Sequence, residues 1–98
     1  MIRSLANKST AAVFCGHHVH TLPGSIQPGA LRKLAMLDAV ASPPDLLAAP
    51  ANELVPMFAQ RSGQWRVRIE GIWHLCFRFA HGNAWDVEIV QYRPEEVA

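Results

Sequence analysis

Three arginines, a histidine, a cysteine and two carboxylates recur at alternate positions late in the chain: Arg66, Arg68, His74, Cys76, Arg78, Asp86 and Glu88. Between them run Trp65, Val67, Ile69, Trp73, Leu75, Phe77, Phe79, Trp85, Val87 and Ile89. Such alternation predicts strands with one apolar and one polar face, and places any chemistry on the polar one. His74 is the side chain of this set that titrates near neutrality, so it is the natural acid or base. Arg61, Arg66, Arg68 and Arg78 concentrate positive charge that can steer a phosphate although the net charge is only +1. Arg78 and Asp86 are expected to pair across strands, which gives that arginine a structural use worth about 0.2–1 kcal/mol. Arg66 is freer for phosphate, and Glu88 could hold His74 in an ion pair.

A second group, Cys15, His17, His18 and His20, carries metal-binding residue types. It lies in a loop and has no second Cys/His pair at ligand spacing, so no metal and no cofactor are expected. Cys76 reads as a small strand residue and Met36 and Met57 as core fillers. Two cysteines without a disulfide framework fit a reducing cytosol. No apolar run suggests a signal peptide or a membrane span, so a cytoplasmic protein without a membrane partner is expected. Ninety-eight residues, half of them hydrophobic, suit one domain over residues 1–98.

The elements that must position these side chains follow from the pattern. Ile2 to Leu5 suggests a short first strand, and Thr10 to Cys15 a short helix stopped by Gly16. Pro28 suits the first turn of a longer helix running to about Ala41, with Leu31, Leu34, Ala35 and Leu37 as its buried stripe. Ser42-Pro43-Pro44 ends it, and Asp45 to Pro50 is a connector. Glu53 to Met57 is a candidate edge strand because Pro56 lacks a donor. In the last hairpin, pairing Ala80 with Ala84 sets Arg78 against Asp86, Cys76 against Glu88, His74 against Val90 and Phe79 against Trp85. In the hairpin before it, a three-residue loop, or an added bulge with Gly71 at positive φ, sets Ile69 on Trp73, Val67 on Leu75, Arg68 on His74 and Arg66 on Cys76. The fold class is α+β: an N-terminal strand and two helices on a mainly antiparallel sheet.

Several blocks resemble the HigB family of bacterial toxins, within the RelE/ParE superfamily. They are the opening Met1-Ile2-Arg3-Ser4, the helix Arg32 to Ala39, and the strand Gly63 to Ile69. Trp73-His74-Leu75-Cys76-Phe77-Arg78-Phe79 and Ala84 through Tyr92 complete the match. The helix and the Gln64–Ile69 strand look closest to the GraT branch. The resemblance implies a RelE-like fold and the toxin of a type II toxin–antitoxin pair, a ribosome-dependent mRNA endoribonuclease. Its implied partners are a HigA-like helix-turn-helix antitoxin, the ribosome and mRNA. Cleavage by 2′-OH attack needs a base, an acid and positive charge at the phosphate. Carried over, these roles fall to His74, Tyr92 and Arg93 as catalytic residues and to Arg66 and Arg68 as RNA-binding residues. The chain departs from the family where Val55 and Phe58 replace a histidine and a lysine, His74 an arginine, and Arg93 a histidine. These departures imply an alternative, a catalytically weakened homologue that mainly binds its antitoxin.

Overall fold

The computed structural model describes residues 1–48 and 53–92. Two helices, α1 (Lys8–Phe14) and α2 (Gln27–Ala39), precede four strands: β1 (Val55–Pro56), β2 (Trp65–Glu70), β3 (Trp73–Ala80) and β4 (Asn83–Gln91). The strands form one antiparallel sheet in the order β1-β2-β3-β4. The architecture is therefore α+β, helices first and sheet after. Short 3₁₀ turns at Gly24–Ile26, Pro43–Ala48 and Ala59–Arg61 join the elements. Among the described residues, no helix is long and apolar enough to cross a membrane.

Local chemistry sets the helix boundaries. α1 starts two residues before the expected Thr10 because the Asn7 carboxamide oxygen accepts the Thr10 N–H at 2.8 Å. Gly16, at φ 86°, supplies the left-handed residue that stops it. α2 has its proline in the first turn and ends at Ala39, short of the expected Ala41. The Asp45 carboxylate accepts the Ala41 and Ser42 N–H groups at 3.2 and 3.1 Å, so these residues cap the next turn instead of extending the helix. The buried stripe of α2 is Gln27, Ala30, Leu34 and Leu37. Leu31 and Ala35, expected within it, are exposed, because the helix is rotated toward its Gln27–Ala30 side. Gln27 makes that rotation favourable. Its side chain accepts the Val19 N–H and donates to the Val19 and Leu22 carbonyls, tying the loop after α1 to α2.

Residues 2–5 do not form the expected first strand. They lie along the free edge of β4 with isolated parallel bridges, Ile2 to Ala84 and Leu5 to Val87. The ladder is interrupted because the Ser4 hydroxyl, not a backbone carbonyl, accepts the Asp86 N–H at 2.8 Å. The segment still occupies a sheet edge that would otherwise be open to pairing.

The β3–β4 register differs from expectation near its turn. Ala80 pairs with Asn83, Phe79 with Ala84 and Arg78 with Trp85. The turn is the two-residue His81-Gly82, both at positive φ (53° and 77°), whose twist matches that of the flanking strands. A bulge on β4 then absorbs one residue, and the expected pairs Cys76–Glu88, Leu75–Ile89 and His74–Val90 follow. Asp86, at φ 53°, sits at this bulge. Ala84 consequently points inward and Trp85 outward, the reverse of the alternation pattern. In the β2–β3 hairpin, Arg66–Cys76, Val67–Leu75 and Arg68–His74 pair as expected. Glu70, not Ile69, meets Trp73, because the bulge falls between Arg68 and Glu70. Gly71 has the anticipated positive φ, 57°.

α1 and α2 cover one face of the sheet. Val67, Leu75, Phe77, Val87 and Ile89 pack there against Val13, Ile26, Ala30, Leu34 and Leu37. Burying each large side chain contributes about 1.5–3 kcal/mol. Met57 is buried, and Met36 packs against this cluster from its margin. Within the core, Thr10 is fully buried and its hydroxyl accepts the Ile89 N–H of β4 at 3.0 Å. Thr10→Val keeps the shape and removes the acceptor, so it should cost about 1–3 kcal/mol in a urea melt. An unchanged midpoint would mean that the Ile89 amide finds another partner.

Candidate functional site

The second face of the sheet is not the open, solvated surface that the alternation suggests. His74 is 7% exposed and Cys76 0%. The chain between β1 and β2 folds back over this face. The Met57 N–H donates to the Gln64 carbonyl at 2.9 Å, and Arg61 reaches Glu88 on β4 at 3.2 Å. That ion pair occupies Glu88, so it does not hold His74 as envisaged. Burial, the largest influence, pushes the Cys76 thiol up to about 11, which leaves no thiolate for nucleophilic chemistry near neutral pH.

At the far end of the same face is a cleft of about 230 Å³. It brings together His74 and Tyr92 with Arg66 and Arg68, and Glu53, Val55, Gly71 and Ile72 complete the wall. Arg93 lies outside the described residues. His74 is placed by the β3 ladder, opposite Arg68 on β2 and Val90 on β4. Its Nδ1 is 2.9 Å from the Ile72 carbonyl oxygen. A carbonyl can only accept, so Nδ1 carries the proton and the neutral ring presents its Nε2 lone pair. The same carbonyl accepts the Tyr92 N–H at 2.7 Å, which fixes both residues to the start of β3. Their rings meet edge to face, 5.7 Å between centroids.

Electrostatics keep the imidazole uncharged. Burial lowers the His74 pKa from its ordinary 6.5, and Arg66 and Arg68 lower it further, against opposing contributions from the Ile72 bond and Glu53. The two guanidiniums are held differently. Arg68 is half-exposed and pairs with Glu53 at 3.1 Å. Arg66 lies over the Tyr92 ring, 4.3 Å from the centroid. Its Nε and Nη1 are buried and meet no hydrogen-bond acceptor among the described residues. Buried charged donors strongly favour an acceptor, and an anion entering the cleft supplies one.

Glu53, Gly71 and Ile72 are the cleft residues that sequence reasoning missed as site members. Glu53 adopts φ 49°, which an L residue rarely adopts. Its place at the edge of an expected strand beside β2 hinted at an arginine partner. Ile72 acts through its carbonyl, which no side-chain pattern reveals. Cys15, His17, His18 and His20 are all exposed. Among the described residues, no three His, Cys, Asp or Glu groups are arranged to hold a metal ion. Arg78 reaches Asp86 at 3.6 Å despite the shifted register, and both are largely exposed. Arg78→Ala should therefore lower stability by no more than about 0.5–1 kcal/mol. It should leave any activity of the cleft in place, as a melt and a growth assay on the same variant can check.

The sequence matches no protein-family model and no curated protein.

Proposed function

We propose that the chain is a RelE-like toxin of the HigB kind, acting in the cytoplasm as a ribosome-dependent mRNA endoribonuclease held in check by a helix-turn-helix antitoxin. The observation that carries this reading is a histidine, bonded through Nδ1 to the Ile72 carbonyl and held below its ordinary pKa by burial, beside two guanidiniums in one cleft. In the proposed reaction His74 Nε2 takes the proton of a ribose 2′-hydroxyl. The 2′-oxygen attacks the adjacent phosphorus, a cyclic phosphate forms, and the 5′-oxygen leaves with a proton. Arg66 and Arg68 meet the phosphate as charge builds on it, and Arg66 brings donors without an acceptor among the described residues. Tyr92, whose phenol is an O–H donor, stands beside His74 and is the candidate proton source for the leaving oxygen. Arg93 follows it and can supply charge but no proton.

A specific observation favours the weaker alternative. Val55 lines the cleft and Phe58 is 73% exposed, where the resembled family carries a histidine and a lysine. Neither can transfer a proton or meet a phosphate, so cutting of free RNA should be weak or absent. Induced expression in growing bacteria, with mapping of mRNA 5′ ends on ribosomes, tests the proposal. Growth arrest with new ribosomal cuts, relieved by the antitoxin encoded beside the chain, is the expected result. A chain that binds such an antitoxin stably but neither arrests growth nor cuts is the weakened homologue. One that binds no antitoxin at micromolar concentration and is harmless belongs to neither reading.

A further inference from the structure

We infer that the hollow beside Phe58 is a nucleobase subsite, which seats a base of a single-stranded RNA whose phosphate occupies the neighbouring His74–Arg66 cleft. The inference rests on the reading of that cleft as an RNA site. It adds a second site with a different chemistry.

Phe58 is the most exposed of the large hydrophobic side chains among the described residues, at 73%. Its exposure is enforced by its neighbours. Met57 before it is buried and hydrogen-bonded through its N–H to Gln64. After it the chain enters the Ala59–Arg61 turn, closed by donation from the Arg61 N–H to the Phe58 carbonyl at 3.1 Å and from the Ser62 N–H to the Ala59 carbonyl at 3.0 Å. Ala59 takes φ 55°, a conformation an alanine rarely adopts, so the turn holds its shape against local preference. The turn thus presents the Phe58 ring to solvent.

The ring borders a hollow of about 260 Å³ that Gln60, Arg61 and Tyr92 also line. Tyr92 lines both hollows, so this one adjoins the cleft that holds His74 and Arg66 across a single residue. Within it Arg61 is neutralised by Glu88, which leaves a lining suited to a flat, uncharged group more than to a second phosphate. Gln60 is exposed and has a carboxamide able to meet the edge of a base. Phosphate held by arginines with a base stacked on an adjacent aromatic ring is the general arrangement by which single strands are bound without a sequence code. The aromatic ring thus binds the nucleotide through its base, beside a cleft that binds it through charge.

The test uses the full chain and a short 2′-O-methyl oligoribonucleotide, which has no 2′-hydroxyl to attack, carrying the fluorescent base 2-aminopurine. The same strand without bases is the control. The wild type should quench 2-aminopurine, as stacking does. Phe58→Ala should weaken binding of the intact strand about tenfold and leave the base-free strand unaffected. Phe58→Trp should restore binding, and the exposed position allows both variants to fold. Equal loss for both strands, no effect of Phe58→Ala, or no binding of the strand by the wild type would each overturn the subsite. So would a Phe58→Ala variant that spares the oligonucleotide but loosens an antitoxin complex, which would make the ring a protein contact. Growth arrest is read separately. A toxic chain whose oligonucleotide binding ignores Phe58 keeps the proposed function and loses the subsite. A harmless chain with aromatic-dependent binding does the opposite.

Discussion

His74→Asn should reduce RNA cleavage on the ribosome by about 10²–10⁴-fold while leaving a folded protein that still binds its antitoxin. Asparagine is the informative replacement because His74 is buried and its Nδ1–H donates to the Ile72 carbonyl. The Asn side-chain amide can keep that bond, yet it has no nitrogen that titrates in water. Alanine would confound the result. It would remove a buried ring from beside Tyr92 and cost stability through the cavity, in addition to any chemistry. A His74→Asn variant that cuts at the wild-type rate would remove His74 from the mechanism.

The pH dependence provides a second readout with a defined sign. Burial, reinforced by Arg66 and Arg68, holds the His74 pKa below 6.5 in the folded state. A base must be neutral to accept a proton, so the wild-type rate should be level at pH 7 and fall as pH drops through that lowered value. Stability follows the same direction by linkage. Between the folded pKa and 6.5 the unfolded chain binds the proton more readily. The contribution is therefore complete above pH 6.5 and is lost as pH falls through the folded value. His74→Asn should flatten both the rate profile and the part of the stability slope that belongs to this group.

The residues show why some of this was legible in the sequence and some was not. Alternation gave the β2–β3 pairs from Arg66 to Arg68, though not Ile69–Trp73, and the far half of β3–β4, because Phe77, Leu75 and Val67 must face the helices whatever the turn does. It failed at Trp85 and Ala84. The twist preference of a two-residue turn at His81-Gly82 outweighed the apolar pattern, and the bulge at Asp86 absorbed the mismatch. Meeting of Arg68, His74 and Tyr92 was legible because register and face follow from a period of two, whereas Arg66, paired with Cys76 as expected, also reaches over the Tyr92 ring, which the register does not indicate. Burial of that meeting point was not. It depends on the stretch from Val55 to Gln64, whose Pro56 and left-handed Ala59 mark a break in regular structure without saying where the chain goes next. Leu31 and Leu34 are equally apolar in sequence, and the rotation of α2 that separates them follows from the three hydrogen bonds of Gln27.

Arg66→Met should change stability and activity in opposite directions. Methionine matches the arginine stem in length and flexibility and can lie against the Tyr92 ring. The substitution forfeits a cation–π contact, worth about 0.5–2 kcal/mol depending on exposure. It also removes two buried donors, Nε and Nη1, that meet no acceptor among the described residues, each costing about 1–3 kcal/mol while unpaired. The second effect is larger, so the variant should gain about 1 kcal/mol, a rise in melting temperature of about 4–8 °C for a domain of this size. Cleavage should fall by about 10²–10³-fold, the usual consequence of losing a donor aimed at developing charge. Inorganic phosphate should stabilise the wild type, which can bind it at Arg66, and have less effect on the variant. A structural arginine behaves differently. If the Tyr92 contact and not an incoming anion is the reason for the charge, Arg66→Met should melt lower than wild type, and phosphate should stabilise both proteins equally. The paired melts with and without phosphate separate these cases without any assay of toxicity, because they read the cost of holding an unmatched guanidinium in the cleft.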